Sequence, residues 1–120
     1  MKVAITTADA NLESPVELRF GRATAFMIYD TETEKVEMID NKQNLNAAQG
    51  AGIQAAQFVI NSGATALISG HCGPKAFKVL AKGGVKVYAI EAQTVASAIA
   101  KLALNELVEL AGADVEEHWI

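Results

Sequence analysis

The spacing of apolar positions changes several times along the chain, and each change predicts an element. Lys2–Thr7 (KVAITT) is a short β-branched run and predicts a first strand. Residues 25–30 (AFMIYD) and 36–41 (VEMIDN) flank the polar stretch Thr31-Glu32-Thr33-Glu34-Lys35, the pattern of a β-hairpin. From Gly50 to Asn61, the residues Ile53, Ala56, Gln57, Val59 and Ile60 recur at helical spacing, and Gly63 supplies a C-terminal stop. Ala64–Ile68 is a continuous apolar run of the kind buried in a parallel sheet. A helix follows over 74–81 with Pro74 in its first turn, and Gly83-Gly84 end it. Val85–Ile90 predicts another strand. A last helix is predicted from Thr94 to Leu104, with Val95, Ala98, Ile99 and Leu102 on one face and an extension to Leu107 open.

Two polar connections interrupt this series. Residues 8–22 carry Pro15 and show little periodicity until Leu18-Arg19-Phe20-Gly21-Arg22, so they read as a long loop. Loops of that length inside a compact domain are usually functional or mobile. Residues 41–48 form the second connection. The element order is βββαβαβα, which implies an α/β fold with a mixed five-stranded sheet and helices on both faces. In such sheets sites form beyond the carboxyl ends of parallel strands, so the loops after Thr7, Ser69 and Ile90 are expected to converge.

Composition narrows the class. A chain of 120 residues is expected to be a single domain over 1–120, with 112–120 a candidate flexible tail. Half the residues are apolar and a fifth are charged, which favours a packed core over disorder. The formal charge of −4 argues against a nucleic-acid partner, although Arg19, Arg22 and Lys75 can still gather into a local anion site. The single cysteine excludes an internal disulfide framework. No run approaches the roughly eighteen apolar residues of a membrane span, and no secretory signal pattern opens the chain. A cytoplasmic protein without a membrane partner is expected.

Candidate chemistry concentrates in Ser69-Gly70-His71-Cys72-Gly73-Pro74-Lys75-Ala76-Phe77. This is a strand-to-helix turn, where backbone N–H groups and the positive end of a helix dipole point outward. A thiolate at Cys72 would be stabilised there, with His71 beside it. The pattern suggests a soft-metal or reactive-thiol site. The plain alternative is that Cys72 is a small semi-buried filler and His71 bonds locally. One Cys and one His are too few for a closed structural zinc site, but enough to tether one edge of a preformed cluster. Arg22 can bring a guanidinium to the same edge, or be an ordinary surface residue. His118, beside Trp119, is a candidate additional metal ligand if the tail folds back. The carboxylates Asp9, Glu13 and Glu17 lack a recognisable ligand spacing and read as solvated loop charge. The turn is not a nucleotide phosphate loop, because the Gly-Lys-[Ser/Thr] spacing is absent.

Several pieces together resemble the dinitrogenase iron-molybdenum cofactor biosynthesis family of nitrogenase accessory proteins. They are the VAITT strand, Phe20-Gly21-Arg22-Ala23 with Phe26 and Asp30, and the helix carrying Ala55-Ala56-Gln57. Gly70-x-x-Gly73-Pro74-x-Ala76-Phe77-x-x-Leu80 and Gly84-Val85-x-Val87-Tyr88 complete the pattern, which covers nearly the whole chain. The resemblance implies a three-layer α/β/α domain with a ribonuclease H-like motif. It also implies a stand-alone, non-enzymatic carrier of an iron-molybdenum cofactor, its precursor or another metal–sulfur cluster. Partners would be metallocluster donor and acceptor proteins, and the protein a monomer or weak homodimer. Nuclease chemistry is not expected, since the first strand holds no carboxylate for paired metals.

On this reading Cys72 ligates an exposed metal, and His71 is a second ligand or proton acceptor. Gly70 and Gly73 admit the bulky cluster, while Arg22 and Lys75 offset its negative charge. A cysteine-dependent enzyme using Cys72 with His71 or His118 as base is a second reading. A regulatory interaction domain without a cluster is a third.

Overall fold

The computed structural model describes residues 1–9, 11–42 and 51–110. Strands β1 (Lys2–Thr7), β2 (Ala25–Asp30) and β3 (Val36–Asp40) come first, followed by helix α1 (Ala51–Asn61). Next are β4 (Ala66–Ser69), α2 (Pro74–Lys82), β5 (Lys86–Ala89), α3 (Val95–Ala103) and β6 (Val108–Glu109). The strands form one six-stranded mixed sheet in the order β3-β2-β1-β4-β5-β6. β1, β4 and β5 run parallel; β2 and β3 form the expected antiparallel hairpin.

Alternation along the strands distributes the core over two faces. Ala4, Phe26, Ile28, Leu67 and Val87 share one cluster with Ala55, Ala56 and Val59 of α1 and Ala76 and Leu80 of α2. Val3, Ile5, Met27, Ala66 and Ile68 share the other with Val95 and Ala98 of α3. Two helices therefore cover one face and one helix covers the other. α1 and α2 lock together where Gly83 lacks a side chain: a Cβ there would lie 2.5 Å from Ile60 Cδ1. Gly84 then turns the chain into β5 with φ +78°, a conformation glycine adopts without strain.

The sheet has six strands rather than the five expected from the sequence. The last helix spans Val95–Ala103 between caps Thr94 and Leu104, as expected and without the extension to Leu107, and Asn105 turns the chain with φ 57°. Val108 and Glu109 then pair antiparallel with Ala89 and Tyr88. A strand of two residues is too short to show a period, and Val108 is 71 % exposed, so no apolar alternation marks it. Most of the polar connection 41–48 and the whole tail 112–120 lie outside the described residues.

Candidate functional site

The carboxyl ends of β1, β4 and β5 lie along one edge of the sheet, and residues 11–22 run across it as a strap. The strap is fastened at successive points. The N–H groups of Val95 and Ala96, at the start of α3, donate to the Ser14 and Leu12 carbonyls (2.9 and 2.8 Å). Val16 N–H donates to the Gln93 carbonyl (2.9 Å) and Glu17 N–H to the Thr6 carbonyl (2.7 Å). The buried Thr6 hydroxyl donates in turn to the Glu17 carbonyl at 2.6 Å and lies 3.2 Å from Ser69 Oγ. His71 N–H donates to the Leu18 carbonyl (2.7 Å), and Phe20 N–H donates to the His71 carbonyl (3.1 Å). Arg19 and His71 thus face one another in a parallel bridge. Over these few residues the strap behaves as an additional strand, laid against the turn that holds the histidine and cysteine.

The sequence of the strap explains this behaviour. Val16, Leu18 and Phe20 alternate with Glu17 and Arg19, the two-residue period of a half-buried strand. Val16 and Phe20 are buried, while Arg19 is exposed. Phe20 stacks on Phe26 with ring centroids 5.6 Å apart and an interplanar angle of 28°. A 3-10 turn at Phe20–Arg22 then leads to β2, with Ala23 N–H donating to the Phe20 carbonyl. Just past the end of β3, Asn41 is buried and its side-chain amide donates at 2.8 Å to the carbonyl of Ala23, which precedes β2.

Each predicted site residue can now be placed. His71 is half-buried at the centre of the edge, and Lys75 is exposed in the first turn of α2. Arg22 is exposed at the end of the 3-10 turn, which packs against α1. Gly73 is the N-cap of α2, followed by Pro74 at the first helical position. His118 lies outside the described residues. Arg19 was foreseen only as part of a possible anion patch; its place beside His71 follows from the Val16–Phe20 alternation, a signal present in the sequence.

Two placements differ from the sequence reading. Cys72 is 0 % exposed and belongs to the apolar cluster that includes Phe20, Ala23, Phe26 and Leu80. Its thiol lies 3.7 Å from the Gly73 carbonyl. In this conformation it fills the core, as in the plain alternative stated for a lone cysteine. Gly70 does provide room, but the room is taken by the strap. A Cβ at Gly70 would lie 2.5 Å from the Leu18 carbonyl oxygen and 2.7 Å from Leu18 Cα. The glycine lets two stretches of backbone approach each other rather than leaving space for a cluster.

The edge carries charges of both signs: Arg19, Arg22 and Lys75 are exposed there, Asp9, Glu13 and Glu91 are exposed on the same loops, the Glu17 carboxylate accepts the Arg19 N–H at 3.1 Å, and α2 directs its N-terminus to the edge. Among the described residues no group of three or more His, Cys, Asp or Glu side chains is placed to hold a metal ion. Among the described residues no helix is long and apolar enough to cross a membrane.

Comparison with known proteins agrees with this geometry. The apo form of the orange protein from Desulfovibrio gigas superposes with a TM-score of 0.92, at 36 % identity over 95 % of this chain and 96 % of that one. A NifB-like protein from Thermotoga gives a TM-score of 0.83, at 38 % identity over 96 % and 97 %. An uncharacterised protein from Methanocaldococcus jannaschii is 36 % identical over 91 residues, 73 % of each chain. The family model for dinitrogenase iron-molybdenum cofactor proteins matches residues 1–105, which takes in the strap, the His-Cys turn and all six strands but β6. The chain belongs to the dinitrogenase iron-molybdenum cofactor family.

Proposed function

We propose that this protein is a non-enzymatic carrier that receives and releases an anionic metal–sulfur cluster. The cargo would be an iron-molybdenum cofactor, its precursor or a related cluster, passed in the cytoplasm between donor and acceptor proteins. The carrying observation is the strap-and-turn edge: His71, half-buried, is bridged to Arg19, and Arg22 and Lys75 are exposed on the 3-10 turn and the first turn of α2 that flank it. Family membership supports the cargo class, and a relative solved in an apo form supports a loaded counterpart.

In this reading His71 would ligate an exposed metal of the cluster. The guanidinium and ammonium groups offset its charge from outside the coordination sphere. A site with few direct ligands suits a carrier, since cargo held by many would not leave. Cys72 ligates only from a conformation in which its turn has opened, because its thiol is buried in the apolar cluster. The same burial weighs against the cysteine-enzyme reading, in which a nucleophile must meet substrate.

Anaerobic titration with iron-molybdenum cofactor and, separately, with a plain iron–sulfur cluster tests the proposal. Absorption and metal analysis would read uptake in the wild type, His71→Ala, Cys72→Ala and Arg22→Gln. Stoichiometric uptake that weakens in His71→Ala, and weakens with added salt in every form, is expected. Absence of uptake of both clusters by the wild type would overturn it.

A further inference from the structure

The burial of Cys72 and the fit of the strap against its turn are two parts of one arrangement. We infer that the strap is a gate over Cys72, held shut by the backbone pairing of Leu18 and Phe20 with His71 and made possible by Gly70. This inference rests on the carrier reading for its purpose, but its physical content does not.

His71, the residue before the cysteine, has both its N–H and its carbonyl engaged by the strap (2.7 and 3.1 Å). The turn cannot move outward while those bonds hold. Phe20, the next strap residue, lies in the same buried cluster as Cys72. Opening the Arg19–His71 pairing lifts Phe20 and frees the turn together, and the thiol then meets solvent. The contact is as close as backbone allows, since a single methyl group on Gly70 would meet three Leu18 atoms at 2.5–2.8 Å. Two of those three are backbone, so the clash is relieved by displacing the strap and not by turning a side chain. Gly70 has no positive φ, so alanine suits its backbone and the substitution acts on the gap alone.

A closed gate also fits the chemistry of a thiol in a carrier. A cysteine exposed at all times at a helix N-terminus is open to oxidation. One exposed only during a local opening is protected until cargo or a partner displaces the strap. Local openings of this kind occur without global unfolding when they break few contacts.

The experiment is labelling of Cys72 in the full chain with N-ethylmaleimide under native conditions, followed by mass, in wild type and Gly70→Ala. Wild type should label slowly, with a weak dependence on low urea concentrations that marks a sub-global opening. Gly70→Ala should label faster by about tenfold or more, as expected for an overpacked contact. Hydrogen exchange at the Phe20 and His71 amides should accelerate with it. Labelling of the wild type as fast as a free thiol, or only with the urea dependence of global unfolding, would overturn the gate. So would a folded Gly70→Ala that labels like the wild type. If Gly70→Ala does not fold, the urea dependence in the wild type still decides. None of these readouts uses a cluster, so a working gate with no cluster uptake would sink the carrier reading alone.

Discussion

Helices α2 and α3 begin on the same edge of the sheet, and the chain finishes them differently. At α3, the Thr94 hydroxyl accepts the Ser97 N–H at 3.2 Å, and the strap carbonyls of Ser14 and Leu12 accept the Val95 and Ala96 N–H groups. The dipole end of α3 is consumed by structure. At α2, the N-cap is Gly73, which has no side chain to offer, and Pro74 has no N–H to satisfy. The strap's backbone hydrogen bonds on this side of the edge go to the His71 turn ahead of α2, while Phe20 shares the buried cluster with Ala76 and Leu80 of α2. One strap therefore fastens directly to the start of α3 and reaches α2 through the His71 turn, so the carrier reading puts cargo on the α2 side of the shared edge.

The largest expected effect comes from removing the strap's anchor. Phe20 is fully buried and stacked on Phe26, so Phe20→Ala should cost about 3–5 kcal/mol in urea unfolding. The comparison breaks if this variant loses no more stability than a change at the start of α3. Thr6→Val comes next. It keeps the shape but deprives the Glu17 carbonyl and Ser69 Oγ of a buried partner, at about 1–3 kcal/mol. Thr7→Val is its control: Thr7 Oγ1 sits at a longer 3.4 Å from the Asp9 and Pro15 carbonyls, and its loss should be smaller. Equal losses in the two variants would mean that the strap draws nothing special from Thr6.

These strap contacts mark the boundary of what the sequence revealed. The first five strands, three helices and hairpin were legible because burial imposes a period on side chains, and the three carboxyl-end loops were expected together for the reason that parallel strands place them so. The strap was read as a loop because most of its order comes from backbone hydrogen bonds, which leave no side-chain signature. Its one legible clue, the alternation from Val16 to Phe20, is five residues long and was recognised only in its last part. Gly70 shows the same limit from the other side. A glycine announces a close approach, but only the structure says that the approaching group is Leu18 and not a ligand. Cys72 was ambiguous for a related reason, since a small apolar thiol suits both a core and a site.

The capped helix offers a finer test. Thr94→Ala removes the side-chain acceptor of the Ser97 N–H and should cost about 1 kcal/mol. The loss should stay near that value because the strap carbonyls still hold the Val95 and Ala96 N–H groups. Cluster uptake should be unchanged, as the start of α3 is already occupied by the chain itself. Reduced uptake in a fully folded Thr94→Ala would place cargo on the α3 side and reverse the contrast between the two helices.

The smallest effect lies at the opposite end of the sheet, where Asp30 holds the hairpin turn. The Glu32 N–H donates to Asp30 Oδ1 at 2.9 Å and the Thr33 N–H at 3.4 Å. The Glu32 bond, aided by Thr33 and by the amino terminus, holds the carboxyl below its ordinary value despite an opposing effect of desolvation. A carboxyl whose pKa is lowered on folding stabilises the folded state above its unfolded pKa. That contribution disappears as pH falls through the lower folded value. Asp30→Asn keeps an oxygen to accept the turn N–H groups but has no charge to titrate. Urea unfolding of both proteins from neutral to strongly acidic pH should therefore show a small wild-type advantage at neutrality that closes only on the acid side of the ordinary carboxylate range. The Cys72 labelling rates of the two should coincide at neutral pH. If Asp30→Asn instead alters that labelling, the two ends of the sheet are coupled, and the gate cannot be a property of the strap edge alone.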